Sequence, residues 1–180
     1  MDRLTSLVED LLDVSKISAG KLSLNFEEVN LLELVSDVRD LFDGQLVSAG
    51  FTLAIEIDQG IFGNWDRMRM EQVLLNLISN SIKYAAVSAI VVTAEVHNSK
   101  MRMVFRDFGP GIEKAKQGRI FERFERATSS RNISGLGLGL FIINQIVSAH
   151  GRSLRVESEV GVGSRVITEF SLDARSRVLI

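Results

Sequence analysis

Leu4, Leu7, Leu11, Val14 and Ile17 recur at alternating steps of three and four. That spacing predicts a helix over residues 2–19 with one narrow apolar stripe, stopped by Gly20. Its charged flanks favour a seam with a partner helix over packing on its own domain. KLSLNFEEV (21–29) alternates like a strand. Asn30 is placed to cap a second helix, LLELVSDVRDLFDGQLVSAG, which ends at Gly50. FTLAIEI (51–57) reads as a strand followed by a Gly-containing loop to Trp65, and residues 67–85 give the most regular helix of the chain. Two strands follow, SAIVVTAEVH (88–97) and MRMVFRD (101–107), joined by Asn98-Ser99-Lys100. Beyond them lie a polar stretch (113–134), a Gly-rich run (135–139) and an apolar helix to about His150. LRVESEV and SRVITEFSL close as strands around Gly161-Val162-Gly163. The pattern predicts an α+β protein, a two-layer α/β sandwich. Its helices would cover one face of a mixed, mostly antiparallel sheet, preceded by the N-terminal helix. Domain boundaries are expected near residues 19 and 173, leaving 174–180 as a tail.

Composition narrows the function only a little. The 180 residues carry a net charge of −2, which gives no reason to expect nucleic-acid binding. Without Cys there is neither a disulfide framework nor a thiolate metal site, which fits a cytoplasmic location. No apolar run is long enough to span a membrane, and the first residues do not open a signal peptide.

The chemistry concentrates in four places. On the helix at 67–85, Asn76, Asn80 and Lys83 fall within roughly 60° of arc, opposite Leu74, Ile78, Ile82 and Ala85. A carboxamide oxygen is a hard ligand that suits Mg²⁺, and a Lys one turn away suits a phosphate. A merely solvated polar face would show the same spacing. RDFGPGI (106–112) follows a strand and contains the D-F-G that in protein kinases holds magnesium. GLGLGL (135–140) lacks the dinucleotide fingerprint but would let backbone approach a ligand ahead of a helix N-terminus. Residues 113–134 hold six Lys/Arg (Lys114, Lys116, Arg119, Arg123, Arg126 and Arg131) against three Glu, with Phe121 and Phe124 among them. A link of that length suits a basic lid over a polyphosphate, or an ordinary solvated loop.

Taken in order, these pieces resemble the ATP-binding catalytic domain of the sensor histidine kinases of two-component systems, of the Bergerat (GHKL) type. EQVLLNLISNSIKYA looks like the N box, DFGPGI the G1 box, FERF the F box and GLGLGL the G2 box. RLTSLVEDLLDVSKISAGKL looks like the end of the second dimerisation helix. The resemblance covers roughly residues 2–172 and implies ATP and Mg²⁺ as ligands. It implies Asn80 as the Mg²⁺ ligand, Asn76 on the phosphate side, Lys83 on phosphate and Tyr84 beside the nucleotide. Asp107 would accept a hydrogen bond from the adenine amine, with Gly109, Gly111 and Ile112 passing close to the base. Phe121 and Phe124 would tie down the lid, and Arg126 and Arg131 would meet the terminal phosphates. Gly135, Leu136, Gly137, Leu138 and Gly139 would close over them.

The ATP-hydrolysing members of the wider superfamily carry a Glu where this chain has Asn76, and a neutral amide is no general base. Phosphoryl transfer to a protein is therefore expected, with positioning and Mg²⁺ supplying the catalysis. The only histidines are His97 at a strand end and His150 at a helix end, so neither matches the family's phosphoacceptor. The chain is expected to begin after that acceptor, so no cis autophosphorylation is expected. A separate dimerisation domain would supply the His, a response regulator receiver domain would be the next partner, and residues 2–19 would allow a homodimer. A non-catalytic ATP-binding interaction module and an ATPase of the same fold are the alternatives. The turn after the N box, KYAAVSAI, lacks the family's Gly/Pro-rich character.

Overall fold

The computed structural model describes residues 14–15, 22–84, 89–125 and 137–172. Along the chain run β1 (Glu27–Asn30), α1 (Leu31–Ala49), β2 (Thr52–Ile57), β3 (Phe62–Trp65), α2 (Arg67–Tyr84), β4 (Ala89–His97) and β5 (Lys100–Asp107). They are followed by α3 (Lys114–Gln117), α4 (Gly139–Ala149), β6 (Leu154–Glu159) and β7 (Gly163–Ser171). Five strands form one sheet in the order β2-β4-β5-β7-β6, in which only the β2–β4 pair is parallel. Alternate residues of the central strands enter one core: Ile90, Val92 and Ala94 from β4, Met101, Met103 and Phe105 from β5. Leu34, Val35 and Val38 of α1, Val73, Leu74, Leu77 and Ile78 of α2, and Ile142, Ile143 and Ile146 of α4 complete it. The sheet-and-helix sandwich is the expected one.

Local chemistry sets the element ends. Asn30 Oδ1 accepts from the N–H groups of Leu32 (3.1 Å) and Glu33 (3.3 Å), capping α1, and Gly50 ends it in the left-handed region with φ 70°. The β4–β5 hairpin closes through Asn98 and Ser99, both at positive φ (49° and 57°), as a two-residue type I′ turn requires. Lys100 is already paired with His97, so the turn is one residue shorter than the sequence suggests.

Three further readings need correction. The expected strand at 21–29 is reduced to β1, because its partner is only four residues long and pairs Glu27–Asn30 with Phe62–Trp65. That partner, β3, was expected to be loop; four residues with Gly in second place give no legible alternation. The polar stretch after Ile112 contains the short α3 instead of remaining irregular. Most of the expected helix 2–19 lies outside the described residues, as does the turn at 85–88. Val14 of its stripe is buried and belongs to the domain core, not to a free seam at that position.

The β1–β3 ribbon is fastened to the sandwich by Trp65, whose Nε1 donates to Ser171 O at 2.9 Å and whose ring meets Phe170 edge-on. Gly63 lies against that ring; a Cβ there would stand 2.2 Å from Trp65 Cζ2. Directly after it, buried Asp66 caps α2. Its Oδ1 accepts from Arg69 N (3.0 Å) and its Oδ2 from Asn25 N (2.8 Å), while its own N–H donates to His150 Nε2 (3.2 Å). His150 Nδ1 contacts Ile146 O at 2.8 Å. Because Nε2 accepts, the proton sits on Nδ1 and the ring is neutral. Burial holds its pKa below the ordinary value, with Arg152 acting the same way and the Ile146 carbonyl and Asp66 opposing. His150 is therefore a structural residue, as expected.

Two outcomes follow from these contacts. Gly63→Ala should cost about 1–3 kcal/mol in urea unfolding, because a buried indole cannot yield to the added methyl. For His150 the folded pKa lies below the unfolded one, so stability is intact above about pH 6.5 and falls as the unfolded chain alone takes up the proton. Urea midpoints should drop between pH 7 and pH 5.5, and His150→Gln, itself less stable at pH 7, should show a shallower drop.

Candidate functional site

α2 buries Met70, Val73, Leu74, Leu77 and Ile78, and its opposite side carries half-buried Asn76 and Asn80 with exposed Lys83. α4 begins against that side. A Cβ on Gly139 would stand 3.2 Å from Asn76 Oδ1 and 3.5 Å from Asn80 Nδ2, so a larger residue would crowd both carboxamides. The N-cap position, buried Leu138, offers no side-chain acceptor to the first turn of α4. The first-turn N–H groups and positive end of that helix thus lie against two carboxamides on a lysine-bearing face, an arrangement suited to an anion. Gly137 continues the close approach, with backbone of Phe124 and Glu125 where its Cβ would be.

The second cluster gathers around Asp107, the last residue of β5, paired with Ile90 on one side and Ser164 on the other. Its Oδ1 accepts from Gly109 N at 2.9 Å, and the Ser164 N–H also bonds the carboxylate. Desolvation nevertheless outweighs these bonds and holds the Asp107 carboxyl above the ordinary carboxylate range. The backbone around it leaves no room for side chains. At Gly163 (φ 124°) a Cβ would stand 2.3 Å from Asp107 O, and at Gly111 (φ 72°) 2.0 Å from Glu159 O. Tyr84 ends α2 five residues before Ala89, next to the Ile90 that pairs with Asp107. The last turn of α2, just beyond Asn80, therefore lies at the same end of the sheet as the Asp107 carboxylate.

Of the residues singled out, Asn76, Asn80 and Gly139 are brought together, as are Asp107, Gly109, Gly111 and Ile112. Phe121 is half-buried, but Phe124 is 63% exposed and sits at φ 63°. Among the described residues of that segment the buried one is Ile120, 2% exposed, and Phe124 is not held by burial. Arg126, Arg131, Gly135 and Leu136 lie outside the described residues.

Sequence reasoning missed the residues that join the Asp107 loop to the β6–β7 hairpin. Ile112 N donates to Ser158 Oγ (2.8 Å), which also touches Gly163 O and Ser164 Oγ (both 2.9 Å). Gln117 Nε2 donates to Ile112 O and Ser158 O, both at 2.8 Å. A serine inside VESEV gives no signal of this in one dimension. The Asp66 cap did have one, an Asp placed immediately before an apolar-periodic helix.

A family model described as "Histidine kinase-, DNA gyrase B-, and HSP90-like ATPase" matches residues 65–174. Sensor protein SrrB of Staphylococcus aureus is 33% identical over 168 residues, covering 92% of this chain and 29% of its own. Full-length ShkA in complex with AMPPNP superposes with a TM-score of 0.84 at 28% identity, over 95% of this chain and 36% of that one. Histidine kinase ThkA in complex with the response regulator TrrA gives 0.76 at 27% identity, over 97% and 50%. The chain spans between a fifth and a third of the length of the curated relatives it matches.

The raised carboxyl of Asp107 has a measurable consequence. Its folded pKa exceeds the unfolded one, so its contribution to stability is full below pH 3.8 and is lost as pH rises through the folded value. Asp107→Asn should accordingly have a higher urea midpoint than the parent at pH 7, with the difference closing toward pH 3.

Proposed function

The chain belongs to the family of histidine kinase-, DNA gyrase B- and HSP90-like ATPases, and from that premise we propose how its site works. It is an ATP-binding catalytic domain of the sensor histidine kinase type. In our reading it binds Mg²⁺–ATP and passes the γ-phosphoryl group to a histidine on a dimerisation domain, for relay to a response regulator receiver domain. The observation that carries this reading is the start of α4 set against Asn76 and Asn80.

Asp107 reads the base. A carboxylate accepts from the exocyclic amine of adenine and repels the carbonyl oxygen that guanine presents there. The first turn of α4 receives the polyphosphate with its free N–H groups, and Lys83 adds a positive charge at the rim. Among the described residues no group of three or more His, Cys, Asp or Glu could hold a metal ion. A single carboxamide, Asn80, nevertheless fits Mg²⁺, which keeps waters and takes phosphate oxygens for the rest of its shell. When bound, that ion neutralises phosphate charge. The residues Asn76, Asn80 and Lys83 orient the chain of phosphates; the bond from the γ-phosphorus to the bridging oxygen breaks, a bond to the acceptor imidazole nitrogen forms, and ADP leaves. Asn76 cannot take a proton from water, which favours transfer over hydrolysis. Residues 1–19 fit the end of a dimerisation helix, with 20–173 as the catalytic unit.

The test supplies a His-bearing dimerisation domain in trans with labelled Mg²⁺–ATP. Acid-labile phosphate on that domain is expected, whereas tight ATP binding without transfer, or steady phosphate release without acceptor, overturns the reading. Asn80→Ala should lose mainly the Mg²⁺-dependent part of ATP affinity, about tenfold or more. Asp107→Asn should bind ATP more weakly with and without Mg²⁺.

A further inference from the structure

Ser158 lies on β6. Its hydroxyl has one proton and two lone pairs, and all three are used. It donates to Gly163 O (2.9 Å) and accepts from Ile112 N (2.8 Å), which leaves the 2.9 Å contact with Ser164 Oγ to a proton given by Ser164. The three partners come from the two segments that bracket Asp107. Ile112 ends the loop whose Gly109 N–H bonds the carboxylate, and Gly163-Ser164 open the strand whose Ser164 N–H bonds the same carboxylate. Gln117 of α3 duplicates the tie by bridging Ile112 O and Ser158 O.

We propose that Ser158, seconded by Gln117, is the positioning residue of the base pocket: its hydroxyl locks the Asp107 loop to the β6–β7 hairpin and thereby sets the selectivity for adenine. The inference rests on the proposed ATP reading and adds to it a residue that touches no nucleotide. Gly111 and Gly163 bring the backbones into contact, but contact between glycines fixes no register; directed hydrogen bonds do. With the hydroxyl removed, Ile112 N and Gly163 O lose the bonds they make to it, and holding the loop to the hairpin is left to Gly161 N, which donates to Pro110 O (2.9 Å), and to the Gln117 bridge. Asp107 stays in its ladder, but the Gly109 N–H that orients its carboxylate is held less firmly, and the carboxylate is less well aimed to favour an amine over a carbonyl. The phosphate end, held by α2 and α4, would be untouched.

The experiment compares ATP and GTP binding by calorimetry, with Mg²⁺ present, for the parent, Ser158→Ala, Ser158→Thr and Gln117→Ala. The parent should prefer ATP, and Ser158→Ala should lose about tenfold in ATP affinity with GTP affinity little changed, one hydrogen bond's worth of discrimination. Gln117→Ala should lose less, and Ser158→Thr, which keeps the hydroxyl, should restore the preference. Partial unfolding cannot imitate this result, because it lowers the active fraction for both nucleotides equally. An unchanged ATP-to-GTP ratio in Ser158→Ala overturns the proposal while leaving the ATP reading intact. A parent that binds neither nucleotide overturns both.

Discussion

One buried carboxylate holds the working parts of this domain in register. Asp66 receives the N–H of Asn25 on one oxygen and that of Arg69 on the other, while its backbone N–H is taken by His150. A capping bond of this kind fixes the first turn of α2, and a helix fixed at its first turn is fixed in rotation throughout. The rotation decides that Leu74 and Ile78 enter the core and that Asn76 and Asn80 do not. His150 ties the same point to the last turn of α4, whose first turn Gly139 rests on those two carboxamides. Both ends of α4 are thus referred to α2, one through a buried polar bond and the other through a contact that only glycine allows.

The two halves of the site are built on different principles. The anion side is made of a helix terminus and neutral amides, groups that lose little by being half-buried and attract without needing to ionise. The base side depends on a carboxylate that burial penalises and two backbone N–H groups only partly relieve. Stability given up at Asp107 is the cost of an acceptor kept dry enough to discriminate. The sheet supplies the means: Asp107 ends a strand paired on both sides, so its backbone cannot follow the side chain toward solvent.

Much of this was legible along the chain. Long periodic segments betray themselves, so α1, α2, β4 and β5 fall within a residue or two of where their patterns put them, and Asn30 and Gly50 mark helix ends by their chemistry alone. The helical pattern of 67–85 put Asn76 and Asn80 together on one face of α2, and the strand read over 101–107 put Asp107 at its end. Gly139, expected in a Gly-rich run ahead of the helix, opens α4 itself. What escaped is what depends on a distant partner. β3 is a strand only because Glu27–Asn30 lies beside it, and Ser158 gains a role only from Ile112, 46 residues away. Phe124, apolar and at helical spacing from Phe121, suggested an anchor, yet the buried position falls on Ile120. Periodicity cannot assign burial within a segment whose backbone is built of turns.

The chain has one tryptophan and one tyrosine: Trp65 stands shortly before α2 and Tyr84 is its last residue. Trp65 is sealed from water with its indole N–H bonded to Ser171 O, and Tyr84 is half-buried. With 1.5 Å of rise per residue they are roughly 25 Å apart, a distance set by a single rigid rod. The domain therefore contains two native chromophores with separate allegiances. The indole emission reports whether the β1–β3 ribbon is docked, and the phenol reports on the last turn of α2, each read at its own wavelength without a label.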